Sequence, residues 1–88
     1  MFNGIIYNQG VVSKITKRSK GINLFIKSNL KISKKDIGLS IACDGVCLTL
    51  IRIKKSSFLF YLSKETLNRS NFKNIKIGKN INLSLIHI

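Results

Sequence analysis

The chain has 88 residues, with 16 Lys and Arg against 3 Asp and Glu, a net charge of +13, 44% hydrophobic residues and neither Pro nor Trp. That length holds one small core, which excludes a large enzyme, and the hydrophobic share excludes a basic disordered tail. No uncharged run is long and apolar enough to cross about 30 Å of hydrocarbon, and no charged n-region precedes an apolar stretch at the start, so the expectation is a soluble, cytoplasmic protein.

β-Branched and aromatic residues dominate from the first strand onward. Strands are predicted over residues 2–7, 11–17, 22–27, 40–43, 46–53, 57–62 and 79–85, with breaks at Gly10, Gly21, Gly38, Asp44-Gly45 and Gly78. Six or seven short strands in one small domain predict an all-β closed barrel, because closure removes edges that would otherwise pair with other chains. Two short helical turns interrupt the rhythm. Ser33-Lys34-Lys35-Asp36 and Ser63-Lys64-Glu65-Thr66 each place a Ser at an N-cap with an acceptor side chain in the first turn, and the second is expected to run to about residue 69 or 70.

The segment Ser40-Ile41-Ala42-Cys43-Asp44-Gly45-Val46-Cys47-Leu48-Thr49-Leu50 is the most informative. Asp-Gly between two alternating runs signals a two-residue hairpin loop whose central residues both need positive φ. Cys43 then opposes Val46, Ala42 opposes Cys47, Ile41 opposes Leu48 and Ser40 opposes Thr49. One face gathers Ile41, Cys43, Val46, Leu48 and Leu50 as core. The other gathers Ser40, Ala42, Cys47 and Thr49, which suits either a solvated barrel exterior or a shallow shelf on which a flat ligand reaches backbone and hydroxyl groups.

Chemistry that needs reactive side chains finds little here. Cys43 and Cys47 fall on opposite faces of the hairpin, so a disulfide would require the strands to be rebuilt. Together with one distant His87 they lack the ligand count and spacing of a zinc site. No base is placed to activate Cys47, and Asp36, Asp44 and Glu65 are too few for an acid/base pair, Asp44 being accounted for by its turn and Glu65 by its helix. No catalytic side chain and no metal ligand is therefore assigned.

The positive charge invites a nucleic-acid partner, but Ile (15), Lys (13) and Asn (9) make up 37 residues, all types whose codons are rich in A and T. The lysines are scattered along the sequence, with no run longer than two, as at Lys34-Lys35, so codon bias is the preferred account and a nucleic-acid partner is disfavoured.

The opening Met1-Phe2-Asn3-Gly4-Ile5-Ile6, the hairpin from Ser40 to Thr49, the stretch Lys64-Glu65-Thr66-Leu67-Asn68-Arg69-Ser70-Asn71 and the closing Ile77-Gly78-Lys79-Asn80-Ile81-Asn82-Leu83 resemble, in order and spacing, the first lumazine-binding repeat of the riboflavin synthase family. The resemblance implies a six-stranded antiparallel Greek-key barrel over residues 1–85, with 86–88 as a tail. It implies binding of 6,7-dimethyl-8-ribityllumazine or riboflavin and transfer of a four-carbon unit between two lumazines, with no metal or organic cofactor. Carried over position by position, the ligand would lie on the backbone of Gly4, Ile5 and Ile6 near the Phe2 ring, with Ser40, against Cys47, Leu48 and Thr49, and under Tyr61, Leu62, Ser63, Lys64, Glu65 and Thr66.

Departures from the family pattern also stand in the sequence. Position 3 is Asn rather than Thr, Ser84 replaces an acidic residue, and the Ser-Gly-His motif of the second repeat is absent from these residues. The family builds its site between two barrels, so a fragment that needs a second barrel for full activity is expected, as is a homo-oligomer: a trimer for full-length members, with a dimer open to a lone barrel. Two further readings compete: a non-catalytic flavin- or lumazine-binding module, and an oligonucleotide-binding barrel motivated by the charge.

Overall fold

A computed structural model describes residues 5–32 and 34–86. The chain runs through β1 (Ile5–Arg18), β2 (Gly21–Ser28), a 3-10 turn (Lys34–Asp36), β3 (Ser40–Cys43), β4 (Val46–Lys54), β5 (Ser57–Ser63), α1 (Lys64–Asn68), a second 3-10 turn (Asn71–Asn74) and β6 (Asn80–Ile86). The strands close in the order β1-β2-β5-β4-β3-β6, every neighbouring pair antiparallel, so the expected all-β Greek-key barrel is the observed fold. Among the described residues no helix is long and apolar enough to cross a membrane.

Period-two alternation fills the interior. On β5 the sequence Ser-Phe-Leu-Phe-Tyr-Leu-Ser buries Phe58, Phe60 and Leu62 and leaves the intervening residues half-buried on the outside. Facing them are Leu24 and Ile26 of β2, Ile41 and Cys43 of β3, Leu48 and Leu50 of β4, and Ile81 and Leu83 of β6. Each such side chain contributes about 1.5–3 kcal/mol on leaving water. The second 3-10 turn has no counterpart among the predicted elements. Ser70 Oγ accepts from the Phe72 N–H at 3.2 Å, and the turn so capped drives Phe72 into the core.

The two strands expected over 2–7 and 11–17 are one strand, at least from Ile5 onward, and Gly10 does not break it. Gly10 pairs with Ile81 of β6 on one side and Ser28 of β2 on the other, and a Cβ there would lie 2.5 Å from Ile26 Cγ2 and 3.0 Å from the Lys27 carbonyl oxygen. The missing side chain marks a close approach at the barrel seam rather than a turn. The strand bends just beyond, where the register with β2 shifts between Val12 and Lys14. A second shift, between Leu50 and Arg52, bends β4 against β5.

Both expected helical turns form. Ser63 caps α1 by accepting from the Thr66 N–H at 3.2 Å, and the helix ends at Asn68, one or two residues earlier than expected, with Arg69 as its C-cap. The cap expected at Ser33 lies outside the described residues.

Candidate functional site

The Asp44-Gly45 reversal sets the site's register. Both residues take positive φ, 49° and 85°, and the strand pairs are Cys43 with Val46, Ala42 with Cys47, Ile41 with Leu48 and Ser40 with Thr49, all as the two-residue loop requires. Ile41, Cys43, Leu48 and Leu50 are buried and Val46 packs on the core, whereas Ser40, Cys47 and Thr49 are exposed and Ala42 half-buried. The small polar face is thus on the barrel's exterior, with the Ser40 and Thr49 positions directly opposed.

Neighbouring strands extend this face. Ala42 pairs with Ser84 of β6 and Ser84 with Tyr7 of β1, so positions 7, 84, 42 and 47 form one row across four strands. Beside the row an open groove of about 590 Å³ is lined by Asn8, Gln9, Asn82 and Ser84. Its donors and acceptors are uncharged, and residues 5–13, 40–51 and 80–86 contain no Lys or Arg. The Asp44 carboxylate accepts from the Asn82 N–H at 2.7 Å while the Asp44 N–H donates to the Asn82 carbonyl at 2.8 Å, a two-bond clasp that ties the hairpin tip to β6. Sequence reasoning assigns Asp44 to its turn alone and does not single out Gln9 or Asn82; contacts 38 and 73 residues apart leave no local signature.

On the other side of the hairpin the barrel wall opens. β4 pairs with β5 only from Leu50 onward, Leu50 opposite Phe60, whereas residues 46–49 pair with β3 and residues 61–63 pair with β2. Cys47, Leu48 and Thr49 therefore stand across an unladdered stretch from Tyr61, Leu62 and Ser63, with backbone groups there not committed to a β4–β5 ladder. The far wall is held firmly. Tyr61 donates its hydroxyl to the Lys20 carbonyl at 2.8 Å, the Lys64 N–H donates to the same oxygen at 3.0 Å, and the Ser63 hydroxyl donates to Thr66 Oγ1 at 3.2 Å.

Of the residues expected at a site, Ser40, Cys47 and Thr49 share the open shelf, and Tyr61, Ser63 and Thr66 lie half-buried on the opposite wall. Leu48 and Leu62 turn into the core and pair with Ile41 and Ile22 in the flanking ladders, so they shape the wall rather than reach a ligand. Lys64 is exposed, and Glu65 is engaged by Arg69 at 3.3 Å in a surface ion pair. Ile5 and Ile6 enter through their backbone, paired with Ile86 and Leu85. Phe2 and Gly4 lie outside the described residues.

The cysteines sit on opposite sides of the wall as expected, Cys43 buried and Cys47 exposed, both as free thiols. Burial first, then the neighbouring Asp44 and Cys47, pushes the Cys43 thiol up to about 12, so it stays protonated and inert at neutral pH. Among the described residues no group of His, Cys, Asp and Glu could hold a metal ion.

The lumazine binding domain model matches residues 3–85. Riboflavin synthase of Photobacterium leiognathi is 38% identical over 84 residues, covering 94% of this chain and 38% of that protein. The riboflavin synthases of Buchnera aphidicola and Bacillus subtilis are 36% and 30% identical, again over 94% of this chain and 40% and 39% of their own lengths. The chain spans about two-fifths of the length of these curated relatives. A barrel of this topology, matched nearly end to end, belongs to the lumazine binding domain family.

Proposed function

We propose that the chain is the N-terminal lumazine-binding half of a riboflavin synthase, and that 6,7-dimethyl-8-ribityllumazine or riboflavin binds where the hairpin shelf meets the opening between β4 and β5. The observation that carries the reading is the near-complete match of this chain to riboflavin synthases, over about two-fifths of their length, supported by hydroxyls at the mouth of an unladdered stretch of wall. The flat ring has a dione edge of donors and acceptors. Thr49, Ser40 and Thr66 hydroxyls and the backbone groups of Cys47, Thr49 and Tyr61 that no β4–β5 ladder takes up suit that edge, while Gly4, Ile5, Ile6 and Phe2 would cover one ring face.

In the reaction, a four-carbon unit passes from one lumazine to the other, giving riboflavin and a diaminouracil. The reacting methyl group is already acidified by the ring itself, so the protein's part is to hold donor and acceptor face to face, a proximity effect of about 7–11 kcal/mol in well-oriented systems. No side chain of this barrel is assigned a proton-transfer role, and neither metal nor organic cofactor is required. The shelf is one-sided, so a second barrel, from the same protein or another copy, would bring the second lumazine, and we expect a homo-oligomer.

Fluorescence titration with dimethyllumazine and riboflavin tests this. Saturable binding is expected, and T49V with S40A should weaken it by about thirtyfold, two hydrogen bonds of roughly 1 kcal/mol net each. No spectral change on titration, or full affinity in the double variant, would overturn the assignment.

A further inference from the structure

We propose that the outer face of β1, β2, β5 and β4 beyond the two register shifts binds single-stranded nucleic acid. Five of the sixteen cations, scattered in sequence, are brought together there by non-consecutive strand pairing. Lys14 pairs with Phe25, Phe25 with Leu59 and Leu59 with Arg52, one row across four strands. The next row runs from Lys27 through Ser57 to Lys54, and Arg18 stands at the far end of β1. Arg18, Arg52 and Lys54 border a groove of about 500 Å³ whose apolar walls are Phe25, Leu59 and Ile51.

Three features fit that ligand class. The Lys14 ammonium lies 5.4 Å from the centroid of the half-buried Phe25 ring, which sets a phosphate-binding group beside a base-stacking one. Among the described residues none of these cations is ion-paired with a carboxylate, and the acidic residues lie elsewhere: Asp44 on the hairpin clasp, Glu65 on Arg69, Asp36 in the first 3-10 turn. The platform is about 13 Å from Lys14 to Arg18 along β1 and about 14 Å across three strand spacings, the scale of several nucleotides rather than of one phosphate.

A lysine-rich composition by itself would coat every face evenly. It does not: residues 5–9, 40–49 and 80–86, the segments of the neutral shelf and its groove, carry no cation. The groove form, with its aromatic wall half-buried rather than projecting, favours a threaded strand over a lipid surface. The inference is independent of the flavin reading, since it uses none of the same residues.

The test is fluorescence anisotropy of a labelled oligo-dT of about twelve nucleotides across ~50–200 mM salt. R52Q/K54Q should weaken binding by about tenfold and lower the slope of log affinity against log salt by about 1.4, at about 0.7 per cation lost. K73Q/K76Q removes the same charge from outside this face and should change affinity by less than about threefold. F25L should lower affinity by about tenfold with the slope kept. Equal losses in the two charge variants, absence of binding at ~150 mM salt, or tighter binding to phosphatidylserine vesicles than to the oligonucleotide would each overturn the proposal. Should R52Q/K54Q fail to fold by circular dichroism, ultraviolet cross-linking of the unmodified protein decides: adducts at Phe25 support it, and adducts confined to other peptides overturn it.

Discussion

β1 and β4 each serve two outer faces of opposite chemistry. Before its register shift β1 presents Asn8 and Gln9 to an uncharged groove, and after it Arg18 to a cationic one, with Lys14 over the Phe25 ring on the same face. β4 does the same, with Cys47 and Thr49 before the shift and Arg52 and Lys54 after it. Both changes fall where an extra residue bends the strand, Ser13 in one case and Ile51 in the other. A bulge keeps Leu50 inward and Arg52 outward while re-aiming the rest of the strand, so one small barrel can carry a neutral shelf and a basic groove without either field crowding the other.

What the faces share is the core, and removing part of it should break the comparison by abolishing both. Phe60 is fully buried, with Leu24 of β2 on one side and Leu50 of β4 on the other in the pairing register. Phe60→Ala should cost about 3–5 kcal/mol, a large part of a small domain's stability. Urea denaturation would show it as a lower midpoint, and flavin and oligonucleotide binding should be lost together.

The hairpin clasp separates the two faces. Asp44 holds φ at 49° and makes both bonds to Asn82, so Asp44→Ala puts a less tolerant residue in the left-handed region and removes its side-chain acceptor. A destabilisation of about 2 kcal/mol is expected. Ligand affinity at the shelf should fall while oligonucleotide affinity at the far face holds, provided both are measured well below the melting temperature. Equal loss of both would show that the faces are not independent.

How much of the molecule is legible in its sequence depends on whether a feature is local. The hairpin register and the inward set Ile41, Cys43, Leu48 and Leu50 come directly from Asp44-Gly45, because a two-residue turn fixes every facing pair on its arms. Gly10 reads wrongly as a break because glycine serves both turns and close approaches, and which applies depends on Ile26 and the Lys27 carbonyl of another strand. The cationic face is invisible for the same reason: Lys14, Lys27 and Arg52 become neighbours only once β5 is inserted between β2 and β4. The family resemblance puts Thr49 and Tyr61 at one site, but the missing ladder between their strands is a property of the closed barrel.

Alkaline pH offers a gentler probe beneath the shelf. The Cys43 thiol is raised from 9.0 to about 12 in the folded chain, chiefly by burial. Its contribution is constant while the thiol is protonated in both states. Above pH 9 the unfolded chain loses that proton first, so stability falls by about 1.4 kcal/mol per pH unit towards pH 12. Cys43→Val removes the group at similar volume and should flatten this limb of a stability-against-pH profile, while the neutral-pH value changes by less than about 1.5 kcal/mol. An unchanged alkaline slope would mean that this thiol does not set the limit.

The smallest effect belongs to the ion pair beside the opposite wall of the site. Glu65 and Arg69 meet at 3.3 Å, four residues apart, with side chains 78% and 73% exposed for the Arg and the Glu respectively. Solvent screens such a pair, and Glu65→Gln should shift stability by no more than about 0.5 kcal/mol. The helix start does not depend on it, since Ser63 supplies the cap to the Thr66 N–H. Four-carbon transfer measured with a complementary second barrel should therefore persist in Glu65→Gln at near the unmodified rate. A loss of turnover with stability and ligand affinity intact would give this carboxylate a part in the reaction and would replace orientation alone as the account of how the shelf works.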